Sequence, residues 1–149
     1  MFRPLADEGV NVDMIVQNAS SDGRTDIFFT LPKEDLRRAD PILKKVSEEV
    51  GAAGVTTDAE IGKVSLVGAG MKTHPGVAAS MFDALADAGI NIEIISTSSI
   101  RVSCVVRASD VQRAVQVIHD KFELSTEVVR RAVHPATVTG EFEALKDAP

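Results

Sequence analysis

Residues 68–77, with the sequence Gly-Ala-Gly-Met-Lys-Thr-His-Pro-Gly-Val, have the composition of an anion-binding turn. The turn follows an apolar, β-branched run at residues 63–67 and precedes a segment with apolar residues at helical spacing. A helix that begins after such a turn leaves its first backbone N–H groups without intrahelical partners, and these groups favour a carboxylate or a phosphate. Pro75 suits the first helical turn, where its missing N–H is no loss. The stretch therefore predicts a pocket for a small anion.

Polar side chains at predicted strand ends could complete a pocket for a free amino acid. The amides of Asn91 and Gln17 could hold either end group, and Asp13 or Glu93 could meet an ammonium group. Asn91 has a second interpretation, because asparagine is also common in turns that need left-handed geometry. The glycines of the turn are likewise compatible with a tight turn that binds nothing.

No grouping of residues predicts an enzyme or a metal site. The three histidines have no cysteine or carboxylate partner at metal-ligand spacing, and the Gly-rich turn lacks the Gly-Lys-Ser/Thr ending of a P-loop. There is no Ser-His-Asp grouping. The only cysteine, Cys104, lies in an apolar strand pattern and is expected to be a buried small hydrophobe. We expect no catalytic residue, no cofactor and no metal.

The composition argues against nucleic-acid and membrane partners. The 149 residues carry a net charge of −6, and aromatic residues make up 4%, with no Trp or Tyr. A nucleic-acid surface would need basic and stacking residues instead. No apolar run approaches the roughly 18 residues of a membrane span, and the N-terminus lacks a signal-peptide pattern. Because one cysteine cannot form an internal disulfide, we expect a cytoplasmic protein.

The chain contains an internal repeat. Residues 1–15 reappear as residues 81–95 at an offset of 80, with eight identical positions. In each copy a helix is expected to end at a glycine, Gly9 or Gly89, and to lead into an alternating strand. A second strand and a second helix follow in both copies, at an offset of 75. In copy one Pro41 leaves two possibilities open, a helix kinked there or a helix that begins there.

The order of these segments predicts an α+β fold of two tandem ferredoxin-like units. Copy two reads β-α-β-β-α-β, with residues 127–133 as its closing strand, whereas copy one begins in the middle of its first helix. We predict a first domain over residues 1–61 that lacks its first strand, which a strand from elsewhere, such as the C-terminus, would complete. A second domain is predicted over residues 62–134, followed by a flexible tail over residues 135–149.

Three motifs carry a resemblance to a known family. Residues 11–18, 62–76 and 91–98 resemble, in the same order, the regulatory region of aspartate kinase, and the likeness extends to about Leu124. It is closest to the actinobacterial form, in which a small regulatory subunit can share its sequence with the C-terminal part of the large one. In that family the region is a tandem pair of ACT domains that bind lysine and threonine and inhibit the kinase. The domain that binds ATP and aspartate precedes this region.

The resemblance implies a regulatory, non-catalytic module that binds L-threonine and/or L-lysine and acts on a catalytic aspartate kinase subunit or domain. Effector-binding residues are implied in two clusters. Copy two supplies Met71, Lys72, Thr73, His74, Pro75, Gly76, Val77, Asn91, Ile92 and Ser98. Copy one supplies Val10, Asn11, Asp13, Gln17 and Ser20.

Two other functions remain as alternatives. The family usually has an acidic residue where this chain has Ser99, which keeps open a structural dimerisation module without a ligand. A small-molecule enzyme is the other alternative, although the sequence offers no nucleophile–base pair. For assembly, the exposed edges of two small sheets predict a two-fold homodimer in which copy one of one chain meets copy two of the other.

Overall fold

A computed structural model describes residues 1–19, 24–68, 71, 74–124 and 135–143. The chain divides into two compact units. Unit 1 comprises Met1–Ala59 and Pro135–Pro149, and unit 2 comprises Glu60–His134.

The described part of unit 1 forms two α-helices and a four-stranded antiparallel sheet. In chain order the elements are α1 (Phe2–Asp7), β1 (Asp13–Ala19), β2 (Arg24–Pro32), α2 (Leu36–Glu49), β3 (Gly54–Asp58) and, after the strands of unit 2, β7 (Pro135–Glu143). The strands lie in the sheet in the order β1-β2-β7-β3.

Unit 2 repeats this plan. Its described residues form two α-helices and a three-stranded antiparallel sheet. The elements are β4 (Ile61–Val67), α3 (Val77–Asp87), β5 (Ile94–Thr97), β6 (Arg101–Arg107) and α4 (Val111–Lys121), and the strands lie in the order β4-β6-β5. The closing strand expected at residues 127–133 lies outside the described residues.

The repeat is visible at the ends of α1 and α3. Gly9 and Gly89 follow these helices with φ of 70° and 68°, a left-handed conformation in which a side chain would be strained. The next residue then donates its N–H back to the helix, from Val10 to the Leu5 carbonyl and from Ile90 to the Leu85 carbonyl, both at 2.9 Å. This geometry explains why the glycines recur at an offset of 80.

Helix α2 resolves the question raised by Pro41. A turn of 3-10 helix, Lys33–Asp35, leads into α2, which begins at Leu36 and continues past Pro41 to Glu49. The helix therefore does not begin at the proline. Because proline has no N–H, the carbonyl of Arg37 lacks its usual partner four residues on.

Each unit has a hydrophobic core of its own, between its helices and one face of its sheet. The core of unit 1 consists of Leu5, Val10, Phe29, Leu31, Ala39 and Leu43. The core of unit 2 consists of Val64, Leu66, Met81, Leu85, Ile90, Val102, Cys104, Val106, Ala114 and Ile118.

The C-terminal segment differs from the flexible tail expected over residues 135–149. Strand β7 pairs with β2 over nine positions, from Arg24 opposite Glu143 to Pro32 opposite Pro135, and with β3 over five. In unit 2 the first strand, β4, pairs with β6, which is the repeat equivalent of β2. Strand β7 thus pairs with β2 as β4 pairs with β6, and it satisfies backbone groups of both its neighbours. Residues 144–149 lie outside the described part.

Among the described residues, no helix combines the length and the apolar character needed to cross a membrane.

Candidate functional site

The candidate anion site lies where α3 begins. Gly76 precedes the helix with φ of 97°, so glycine is the residue that this position favours. Its carbonyl accepts the first helical hydrogen bond, from the Ser80 N–H at 2.8 Å. The N-cap residue is a glycine, so it supplies no side-chain cap to this end of α3. The first N–H groups of such a helix have no intrahelical partners and suit a carboxylate ligand.

The hairpin turn that carries Ser98 lies at the same end of unit 2. The Gly68 N–H, directly after β4, donates to the Ile100 carbonyl at 2.9 Å. Within the turn, the Ser98 N–H donates to the Arg101 carbonyl at 2.7 Å, and the Ser98 hydroxyl accepts from the Ile100 N–H at 3.4 Å. The structure thus brings Ser98 close to the beginning of the Gly-rich turn, as the site requires.

Asn91 and Ile92 lie at the opposite end of the same unit, contrary to the expectation that they close one pocket with the turn. The Glu93 N–H donates to the Val105 carbonyl at 2.8 Å, and Val105 lies opposite Lys63, near the start of β4. At about 3.3 Å per residue, this level is roughly 13 Å along β4 from its last residue. The reason is topological, because α3 returns the chain to the far end of the sheet before β5 begins.

The apolar candidates belong to the cores. Val10 is 5% exposed and lies in the core of unit 1, while Met71, Val77 and Ile92 are partly buried against the core of unit 2. Their side chains stabilise the units, so these residues can offer a ligand chiefly their backbone groups.

The described polar candidates are on the surface. Asp13 also has a local role, because its carboxylate accepts the Met14 N–H at 2.9 Å. Lys72, Thr73 and Ser20 lie outside the described residues. The exposed candidates are Asn11, Asp13, Gln17, His74, Pro75, Gly76, Asn91 and Ser98.

A β-bulge separates the copy-one candidates Asp13 and Gln17. Asp13 lies opposite Thr30, but Met14 and Ile15 together face a single residue of β2. Met14 has φ of 41°, and the Thr30 hydroxyl donates to the Asp13 carbonyl at 3.2 Å. Bulges of this kind bend a strand and redirect its side chains. Sequence reasoning missed this feature.

Two exposed isoleucines at equivalent positions of the repeat were also missed. Ile15 on β1 and Ile95 on β5 are 54% and 45% exposed, and both strands are at an edge of the described sheets. The offset of 80 between the two isoleucines is visible in the sequence. Their exposure is not, because it depends on which strands lie at the edges of the two sheets. Apolar edges favour association with another chain.

Two titratable groups on the sheet of unit 2 have a perturbed pKa. Burial, and secondarily the charge of Arg101, lowers the pKa of Lys63. Burial raises the pKa of the Cys104 thiol to about 11, so this thiol is protonated at neutral pH and a poor nucleophile. Within the described ranges, no three His, Cys, Asp or Glu side chains form a group that could hold a metal ion.

Comparison with known proteins places these features in a family. The model of the ACT domain matches residues 1–46 and 64–122. The aspartokinase of Corynebacterium glutamicum is 51% identical over 129 residues, which cover 85% of this chain and 31% of that protein. The aspartokinase of Mycobacterium tuberculosis is 46% identical over 126 residues, 83% of this chain and 30% of that protein. The chain thus spans about a third of the length of these relatives.

Solved structures of aspartokinase subunits also match this chain, and in these two cases the match covers most of both chains. A chain from the crystal structure of aspartokinase alpha and beta subunits matches with a TM-score of 0.73 and 42% identity, over 81% of this chain and 79% of the other. The ligand-free regulatory subunit of aspartate kinase from Thermus thermophilus matches with a TM-score of 0.74 and 37% identity, over 81% and 80% of the two chains.

Proposed function

The chain belongs to the ACT domain family, as a regulatory region of the aspartokinase type, and from this premise we propose that it binds L-threonine and/or L-lysine as a feedback effector. The observation that carries the proposal is the start of α3 at Gly76, an N-cap residue with no side chain, at the same end of unit 2 as Ser98. The effector carboxylate would lie against the N–H groups of this helix start.

The separation of Asn91 from the turn bears on how a complete site would form. A single unit 2 cannot place Asn91 and the Gly-rich turn beside one ligand. The turn lies at the level of the last residue of β5, whereas Asn91 precedes its first residue. Antiparallel pairing of β5 with β1 of a second chain would bring the turn and Ser98 next to the Asn11 end of that strand. The same pairing would bring Asn91 and Ile92 next to its Gln17 end.

We therefore infer a two-fold homodimer with copy one of one chain against copy two of the other. The exposed isoleucines of the two edge strands, Ile15 and Ile95, support this pairing. An effector between the chains would stabilise the dimer. In the complete protein or complex, the effector would favour an inactive state of a catalytic aspartate kinase subunit or domain, to the extent that it binds that state more tightly.

Calorimetric titration of the chain with L-threonine and L-lysine tests this function. Saturable heat with at least one of them, and none with D-threonine, is the expected result. Silence with both amino acids would instead favour a structural dimerisation module. NMR spectra of the same sample monitor the amino acid itself. Its chemical conversion would favour the enzyme alternative.

A further inference from the structure

A groove in unit 1 lies between the last turns of α2 and the start of β3. Its volume is about 260 Å³. One wall is formed by helix side chains and the other by small apolar residues. At Gly54, no atom lies within 4 Å of the place where a Cβ would be, so the groove stays open there. The residues that line the groove include Lys44, Ser47, Glu48, Ala52, Ala53 and Val55.

Ser47 is one of the residues that line this groove. The residue is only 7% exposed, and no hydrogen bond of its side chain is found within the part of the chain that the structure describes. A buried hydroxyl without a partner is costly, and native structures usually pair such groups with protein, water or a ligand. The groove therefore presents a hydrogen-bonding group to whatever occupies it.

The charges around the groove favour a cation. Lys44 is already paired with Asp40 at 2.8 Å, whereas the Glu48 carboxylate has no ion pair with any described residue. The groove also lies beside the C-terminal end of α2, where the helix dipole carries partial negative charge. Both effects stabilise a positively charged group at Glu48.

The repeat indicates the size of a ligand that the groove could hold. The 3-10 turns Lys33–Asp35 and Ala108–Asp110 precede α2 and α4 at the same offset of 75, which makes Phe122 the equivalent of Ser47. Phe122 is partly buried and packs against the core of unit 2. Unit 1 thus has a hydroxymethyl group where unit 2 has a phenyl ring, and the groove lies next to that smaller side chain.

We propose that this groove is a binding site for a small amphipathic amine with a ring-sized apolar body. The ring would lie against Ala52, Ala53 and Val55, a polar group on it would pair with the Ser47 hydroxyl, and the ammonium would lie near Glu48. The groove belongs to unit 1 and shares no residue with the effector site proposed above, so either site can exist without the other.

Calorimetry of the full chain with tyramine tests the proposal. We expect saturable binding with a Kd on the order of 1 mM, as befits a ligand of this size. The acid 3-(4-hydroxyphenyl)propionate should bind more weakly, because its carboxylate replaces the ammonium. Glu48→Gln should weaken tyramine binding about two- to five-fold, since the carboxylate is exposed. Glu49→Gln is the matched control and should change nothing, because Glu49 pairs with Lys45 at 3.9 Å and does not line the groove.

Ser47→Phe should abolish tyramine binding by giving unit 1 the ring that unit 2 has. Circular dichroism verifies that this variant folds. Should it not fold, Ala53→Leu narrows the groove from an exposed position and serves the same purpose. Absence of saturable tyramine binding to the parent chain, or undiminished binding to either folded variant, would overturn the proposal.

Discussion

At the scale of single residues, Gly62 shows how a missing side chain sets the packing of unit 2. A Cβ at this position of β4 would lie 2.1 Å from Cγ2 of Val111, at the start of α4. We expect Gly62→Ala to lower the free energy of unfolding by about 1–3 kcal/mol, as overpacking does. Urea unfolding measures the change.

Gly54 provides the matched control for this substitution. It also begins a strand, but a Cβ there would have no atom within 4 Å. Gly54→Ala should therefore alter the free energy of unfolding by less than about 0.5 kcal/mol. Adding Val111→Ala should restore part of the stability lost in Gly62→Ala. Equal stability of Gly62→Ala and the parent would show that the contact is not as close as described.

Cys104 gives a prediction about pH. Burial raises the pKa of its thiol from the usual 9.0 to about 11, so the folded chain holds this proton more tightly than the unfolded chain does. The resulting stabilisation is complete below about pH 9 and is lost as the pH rises through about 11, a change of about 2–3 kcal/mol. Urea unfolding near pH 8 and near pH 11 should show a larger loss for the parent than for Cys104→Ala. Parallel losses in the two proteins would contradict the prediction.

Among the elements of unit 1, strand β7 is separated from the others by the whole sequence of unit 2. It lies between β2 and β3, and pairs with both. A chain that ends at residue 134 should therefore lose the ordered sheet of unit 1, because two rows of backbone groups lose their partners. Amide hydrogen exchange measures this as lost protection in β2 and β3.

A chain that ends at residue 143 is the control for the truncation, because it retains all of β7. Its β2 and β3 should keep the protection of the parent. Unit 2 should stay protected in both truncated chains, since its described core residues lie between positions 64 and 118. Full protection of β2 and β3 without β7 would show that the strand is not essential to unit 1.

The elements that the sequence revealed are those with local signals. Helix ends at Gly9 and Gly89 could be predicted because left-handed geometry favours one residue type, and the repeat confirmed the pattern. Strand β7 lies in a segment for which the sequence predicts a flexible tail, even though a C-terminal strand is one way to complete copy one. Its partners could not be read from the sequence, because pairing between segments as far apart as Asp58 and Thr137, or Pro32 and Pro135, leaves no local trace.

The candidate site could be predicted only in part for a related reason. Residue types identified the helix start at Gly76 and the exposed amides of Asn11 and Asn91. They could not show that Val10 and Ile92 pack in the cores, or that Asn91 lies at the far end of β5. The position of Asn91 depends on tertiary structure, because α3 takes the chain back to the far end of the sheet before β5 begins.

At the scale of the whole molecule, the proposed dimer depends on the edge strands. Ile95 is 45% exposed on β5, so Ile95→Asp should place a charge in the interface and convert the dimer to a monomer at micromolar concentration. Val115 on α4 is 39% exposed but away from that edge, and Val115→Asp is the control that should leave the dimer intact. Light scattering distinguishes the two states. A monomeric parent chain, with or without threonine, would defeat the dimer proposal.

The proposed effector site lies at the start of α3 in unit 2. Titration of the isotope-labelled chain with L-threonine and L-lysine, followed through backbone amide NMR signals, reports on this site residue by residue. We expect at least one of the two amino acids to shift the signals of Gly76, Val77 and Ser98 saturably, together with those of Asn11 and Asp13. Saturable shifts confined to other residues, or no shifts with either amino acid, would show that no effector binds at this helix start.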